Sequence, residues 1–491
     1  METYKKFEYV MEERKRESNE NISKFRNNFR RKFRNKKVTN DLTDLKINIE
    51  HFITDFRRND GLVKENPEDF IVEEILEKDL VLEAGKSLKN KEISETNENN
   101  KNNENNENKE DNENKEDNLN IPEEFKDVER WNGSFLHFTV EKLNYNTIDV
   151  IKDLARLTKT KRKNFGFAGT KDKYALTTQR MGCFGIKPEV LEAVGKNGLV
   201  KKRGGQFIVK DVCKSNKKLR MGNLWGNKFT IKIRDFEENE NECENNPIED
   251  TKLDYVLNYF GIQRFGLYRP ITHLVGKHIY ERDFETAFYI YCGTPIHEKG
   301  LKKDAREAVE NGDFKLALKL FPRESEYEKR LIQQYLKYKD YKKAFYAFAP
   351  QLRSLFVNAY QSYLFNEILN KRYDYGYKTL EGDVLEDGIP TAPLCGYKTE
   401  YSGGIAGEIE KEVFEKYNID FKKFRIEDYG NFSGFRRKMI TPVYNFKIKK
   451  IYENEENVEN SNDNPILKLS FELEKGNYAT IVTREFTGKL S

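Results

Sequence analysis

The sequence predicts an α+β protein in which strand-rich ends enclose a helical middle. Three observations carry that expectation. Alternating apolar and polar runs cluster before Ile233 and after Pro442. The stretch Asp283–Ala349 switches to helical spacing. At 491 residues the chain exceeds one ordinary core, so an inserted second domain is expected.

The elements follow in chain order. Lys24–Lys37 (KFRNNFRRKFRNKK) holds eight cations and no acid, and Phe25, Phe29 and Phe33 recur at helical spacing. It reads either as a phosphate-gripping arm or as a helix whose rings pack on the body. Asp69–Ile75 is rich in β-branched and aromatic residues and predicts a strand. Ser134–Val140 predicts another, and the two are expected to form a hairpin with an inflated loop. That loop holds residues 94–120, with twelve asparagines and nine acids, too polar to order itself. Asn146–Thr158 predicts a helix with Ile151 and Leu154 on its apolar side. Gly226–Ile233 predicts a strand, followed by an acidic loop at 237–246. Leu355–Leu369 predicts an amphipathic helix. Pro442–Ile451 and Ile466–Glu474 predict strands, and Tyr478–Val482 reads as a final one.

Composition excludes some classes. Five cysteines stand singly with no CxxC pair, so neither a disulfide framework nor a zinc site is indicated. No apolar run approaches the roughly 20 residues needed to span a bilayer. A reducing cytoplasm is the simple reading, and a monomer is favoured. The formal charge of +4 becomes +10 once 94–120, with nine acids and three lysines, is set aside. A basic remainder is compatible with an RNA partner.

Two stretches could carry chemistry. In Asn164–Gly182 (NFGFAGTKDKYALTTQRMG) an aromatic run leads into a turn that presents Lys171 and Asp172. A neighbouring cation favours the ionised carboxylate, which suits a nucleophile; ordinary turn chemistry is the alternative. In Asn258–Gly266 (NYFGIQRFG), Asn258, Gln263 and Arg264 offer hydrogen bonds beside Tyr259, Phe260 and Phe265. That set suits a flipped-out base, or an aromatic turn. Glu73 and Glu74 could suggest a glycosidase pair, but adjacent strand residues point to opposite faces. The phosphate-loop Gly-Lys-Ser/Thr signature is absent, and the histidines lack zinc-protease spacing.

Taken together these motifs resemble TruD-type tRNA pseudouridine synthases. The resemblance rests on Gly61–Lys64 with Pro67–Glu74, on GFAGTKDKYALTTQ, on Gly226–Phe229, on NYFGIQRFG, on Asn358–Asn366 (NAYQSYLFN) and on the terminal YATxxxRE. The six fall in the family's order between Gly61 and Glu485.

The resemblance implies a pseudouridine synthase mixed or antiparallel sheet core with an inserted TruD-specific α/β domain. It implies catalytic parts at 61–280 and 439–491 and the insert at 281–438; the basic extension at 1–60 stands outside the shared core. It implies isomerisation of a tRNA uridine, uridine 13, with Asp172 as the catalytic carboxylate and Lys64 and Asn258 beside it. Phe260 would stack on the uracil, and Gln263, Arg264, Lys171 and Arg436 are further candidate substrate contacts. Arg220, Lys228 and Arg437 are candidate phosphate grips. No metal or organic cofactor is implied. A non-catalytic RNA-binding protein with the same fold is the alternative, and a hydrolase using Asp172 with Glu73 or Glu74 is a third reading.

Overall fold

The computed structural model describes residues 47–54, 61–78, 80–86, 135–196, 200–202, 204–236, 248–296, 298–452 and 465–487. The basic segment Lys24–Lys37, the tract at 94–120 and the acidic loop at 237–246 lie outside the described residues. The chain divides into two compact units. The sheet unit comprises Thr54–Val256 and Thr441–Ser491; the helical unit joins the described part of Met1–Ile53 to Leu257–Ile440.

Alternating patterns build the sheet unit. Its strands are β1 (Leu62–Val63), β2 (Phe70–Ile75), β3 (Phe135–Leu143), β4 (Phe165–Phe167), β5 (Leu176–Phe184), β6 (Val200–Lys202), β7 (Gly205–Ser215), β8 (Gly226–Arg234), β9 (Tyr444–Ile451) and β10 (Ile466–Glu474). They join in the order β9-β10-β8-β2-β5-β3-β7-β6, with β1 on β8 and β4 on β5. β2 and β5 are parallel, and the other pairs are antiparallel. Helix α1 (Thr147–Leu157) starts at Asn146, whose side chain accepts the Ile148 amide at 2.8 Å and so satisfies a helix-end donor. Its Val150, Ile151 and Leu154 pack with Phe138, Val140 and Phe207 of the sheet.

Two expectations are corrected. β2 and β3 do not pair as a hairpin, because β5 lies between them. The long connection between β2 and β3 lets the chain leave the sheet and return one strand further on, which a tight turn would forbid. Tyr478–Val482 does not form a strand: α2 spans Ala479–Thr487, and all nine of its residues are buried. The β-branched run suggests a strand, but burial on every side of a helix overrides that weak preference.

The helical unit holds the helices expected from 283 onward, Phe284–Cys292, Leu301–Glu310, Phe314–Leu320 and Glu326–Tyr338 among them, and a long helix, Pro350–Tyr373. A small sheet carries Ile389–Leu394 against Phe435–Lys438, with Ala392 opposite Arg437 and Pro393 opposite Arg436. The long helix packs closely on Thr272–Tyr280. At the contact, a Cβ on Gly276 would fall 1.9 Å from the Phe356 carbonyl oxygen.

That approach leaves no room for a side chain. Gly276→Ala is therefore expected to destabilise the helical unit by about 1–3 kcal/mol, read as a lower urea midpoint.

Candidate active site

The turn between β4 and β5 carries Asp172, and the sheet holds it from several sides. Lys171 reaches into the sheet, where its ammonium lies 2.9 Å from Glu74 Oε2 of β2 and donates to Asn227 Oδ1 of β8 at 2.5 Å. Both charged side chains are buried, at 4% and 0% exposed. Lys142 of β3 donates from Nζ to the Asp172 carbonyl oxygen at 2.5 Å. Thr147, the first residue of α1, accepts the Lys171 amide at 3.2 Å and donates to Gln179 Oε1 of β5 at 3.1 Å. The backbone around Asp172 is thus fixed by four strands and a helix end.

The Asp172 carboxylate points the other way, to solvent. Its side chain is 55% exposed, and Lys64 Nζ lies 2.7 Å from Oδ2. Lys64 follows β1 and takes φ +63°, uncommon for a residue with a Cβ. Its ammonium also sits 3.9 Å from the centre of the Phe70 ring, an arrangement in which the ring's negative face attracts the charge. Gly169, three residues before Asp172, has open space where a Cβ would stand. Glu73 and Glu74 hold separate partners: Glu73 accepts the Ala84 amide at 2.8 Å and lies 3.3 Å from Lys228, while Glu74 holds Lys171.

Asn258, Phe260, Gln263, Arg264 and Arg436 belong to the helical unit. Asn258 donates from Nδ2 to the Lys438 carbonyl at 2.8 Å, and its Oδ1 accepts from Arg437. Phe260 is 4% exposed. Asn366 of the long helix accepts the Phe260 amide at 2.9 Å and donates to its carbonyl at 3.1 Å. The Arg437 guanidinium lies 4.3 Å from the Phe260 ring centre, and that of Arg264 lies 5.4 Å away. Arg264 also donates to Ser362 Oγ at 3.0 Å. Gln263 is exposed. Arg436, on the opposite face of its strand from Arg437, donates to Glu410 Oε1 at 2.6 Å and to Thr391 and Ser402. The helical unit therefore gathers Asn258, Phe260, Arg264 and Arg437, and ties Arg436 to a separate buried carboxylate.

Lys142 is the residue sequence reasoning missed. On an alternating strand a lysine reads as outward-facing, yet Lys142 shares parity with Leu136, Phe138 and Val140 and is 1% exposed. A lysine at core parity was the available signal. Burial pushes its ammonium down to about 8; the charge of Asp172 pulls the other way, and Lys171 adds repulsion.

Comparison with known proteins places this geometry in a class. Residues 46–389 and 386–486 match the family model described as tRNA pseudouridine synthase D (TruD). The chain belongs to that family, whose members are isomerases by reaction class. A Methanococcus maripaludis protein named "Probable tRNA pseudouridine synthase D 2" is 59% identical over 445 residues, covering 91% of this chain and 100% of the relative. A Methanocaldococcus jannaschii protein named "Probable tRNA pseudouridine synthase D 1" is 44% identical over 444 residues, covering 90% and 99%. A crystal structure from Methanosarcina mazei, described as that of the "Putative tRNA pseudouridine synthase D (TruD)", superposes with a TM-score of 0.64 at 29% identity, covering 90% of this chain and 97% of that one. Among the described residues no group of three or more His, Cys, Asp or Glu could hold a metal ion, and no helix is long and apolar enough to cross a membrane.

Two outcomes test the anchors. Lys171→Met leaves Glu74 buried without its cation and is expected to cost about 3–5 kcal/mol in urea unfolding, much of it recovered in Lys171→Met/Glu74→Leu. Lys142 gives a pH signature. The unfolded chain keeps that proton up to the ordinary lysine value of 10.5, whereas the folded chain releases it at about 8. Between those values the unfolded state binds more protons, so this group makes stability rise with pH. Wild type should gain stability relative to Lys142→Met across that window, measured by urea midpoints at stepped pH.

Proposed function

We propose that this chain converts a uridine of tRNA, uridine 13, to pseudouridine, with Asp172 as the catalytic carboxylate. The observation that carries the reading is the Lys64–Asp172 ion pair, 2.7 Å long, on a turn pinned by buried groups, in a chain of the TruD family. A cytoplasmic site of action follows from the substrate.

The reaction suits such a site. The bond from the ribose carbon to uracil N1 breaks, the uracil turns, and the same ribose carbon bonds to uracil C5. The proton leaves C5 and N1 gains one, so atoms and electrons balance without a donor or oxidant. The enzyme's task is to hold a charged oxygen against the ribose and to keep the detached base in place. Fixed groups do this without reorganising at the moment of reaction. The exposed Asp172 carboxylate has the freedom to meet a substrate, and the Lys64 ammonium, 2.7 Å away, orients it. Either attack on the sugar or proton abstraction from it is compatible with this arrangement.

The other side chains take roles from their surroundings. Lys171 serves as the turn's anchor, since its ammonium is buried on Glu74 and Asn227. Arg436 anchors the small sheet through Glu410. Phe260 is assigned to stacking on the uracil, with Asn258 holding Arg437 beside it. The Arg437 guanidinium is flat and delocalised, and it covers the ring as a base would, so stacking requires Arg437 to move aside. Gln263 and Arg264 are assigned to polar contacts with the substrate. The open space over Gly169 allows close approach of the substrate to the turn.

Asp172→Asn keeps the size of the side chain and loses its charge. The variant is expected to unfold like wild type and to leave tRNA uridines unchanged in carbodiimide primer extension, at least 1,000-fold below the wild-type rate, which is about 4 kcal/mol of barrier. Undiminished conversion by that variant would remove Asp172 from the mechanism.

A further inference from the structure

A cleft of about 410 Å³ opens in the sheet unit, walled by Arg180, Ser215, Lys217, Lys218, Arg220 and Asn223 together with His137 and Leu219. Most of its wall is the loop between β7 and β8. Lys214, Lys217, Lys218 and Arg220 place four cations in seven residues, and no acid occurs from Ser215 to Arg234. A polar surface loop rich in lysine is ordinarily just solvated. This one has two properties that solvation does not call for.

First, its backbone is fixed. His137 Nε2 lies 2.8 Å from the Lys217 carbonyl. Ser215 Oγ accepts the Lys217 amide at 3.2 Å, and Asn223 Oδ1 accepts the Arg220 amide at 2.8 Å. Lys475 donates to the Gly222 carbonyl at 2.8 Å. Leu219 and Leu224 are buried against Ala168. The Gly222 amide donates to the Ala168 carbonyl at 2.7 Å, and Ala168 is four residues before Asp172. The cationic loop and the catalytic turn therefore share a hydrogen bond and a small core.

Second, the charges are left available. Lys217, Lys218 and Arg220 are exposed, and none of the three appears in an ion pair among the described residues, whereas Lys64, Lys171 and Lys228 each hold a carboxylate. Holding like charges together on a rigid loop costs repulsion that folding does not recover. An anion that meets all of them at once recovers it. A preset backbone also lowers the ordering cost of binding.

We propose that this cleft is a phosphate subsite: it grips the RNA backbone of the strand whose uridine reaches Asp172. The inference rests on the isomerase reading for the identity of the strand, but its own test is binding. Lys217, Lys218 and Arg220 supply the charge, and Ser215 and Asn223 line the cleft with polar groups. Phosphate contacts of this kind set register and carry no sequence information.

The test is tRNA binding by the full chain across 50–200 mM salt, wild type against Lys217→Gln/Lys218→Gln/Arg220→Gln. Each lost phosphate contact removes about 0.7–0.9 from the slope of log K against log salt. The triple variant is therefore expected to lose about 2 from that slope and to bind at least about tenfold more weakly at the low-salt end, while Lys217→Arg/Lys218→Arg keeps the wild-type slope. An unchanged slope and affinity in a triple variant that melts like wild type overturns the proposal. If the triple variant melts early, Lys218→Gln alone decides: a slope smaller by about 0.7–0.9 supports the subsite, and an unchanged slope overturns it. Pseudouridine formation by wild type is scored separately. Its absence would defeat the isomerase reading, and the salt slope would still report whether the cleft grips RNA.

Discussion

Two buried ammonium groups govern the part of this molecule where chemistry is assigned. Lys171 is sunk between Glu74 and Asn227, and Lys142 is sunk beneath the Asp172 carbonyl. A lysine taken out of water is costly unless polar groups receive it. The sheet supplies those groups from β2 and β8, and the turn itself supplies one. The turn cannot shift without stranding a charge in the interior, so its geometry is inherited from the sheet rather than from loop residues. This explains how a segment with little regular hydrogen bonding of its own can present Asp172 in one position.

That constraint separates holding from acting. Of two adjacent residues, Lys171 has its side chain buried and Asp172 has its side chain half exposed. Lys64 approaches the carboxylate from just after β1, which pairs with the last residues of β8, so the pair that faces solvent is assembled from segments 108 residues apart. In the helical unit the same economy recurs. Asn366 fixes the Phe260 backbone, Asn258 fixes Arg437, and Arg437 lies against the ring. Each exposed or stacking group is backed by a buried polar neighbour, as a preorganised site requires.

Much of this was legible in the sequence. β-branched and aromatic content located β2, alternation located β3 and β8, and the strand expected at Ile466–Glu474 is β10, each to within a few residues. The Gly-Thr-Lys-Asp run and the Asn-Tyr-Phe-Gly run stood out because charged, aromatic and small residues occur together there. Three things were not legible. The pairing of β2 with β5 depends on where a long connection returns, which no local pattern encodes. α2 is β-branched yet helical, because burial outweighs propensity. The separate duties of Lys171 and Lys142 depend on partners in distant strands, and only the parity of Lys142 hinted at them. Arg436 and Arg437 are neighbours of like charge, and the register against Ala392 and Pro393 sends them to different partners.

The most direct measurement is a mass balance. Bulk tRNA carrying label in its uracil rings is incubated with the purified wild-type chain, and the rings are followed as pseudouridine, as unchanged uridine and as free base. The account predicts new pseudouridine confined to uridine 13, with no label released. Release of free uracil, or no change in the tRNA under conditions where it binds, would contradict it.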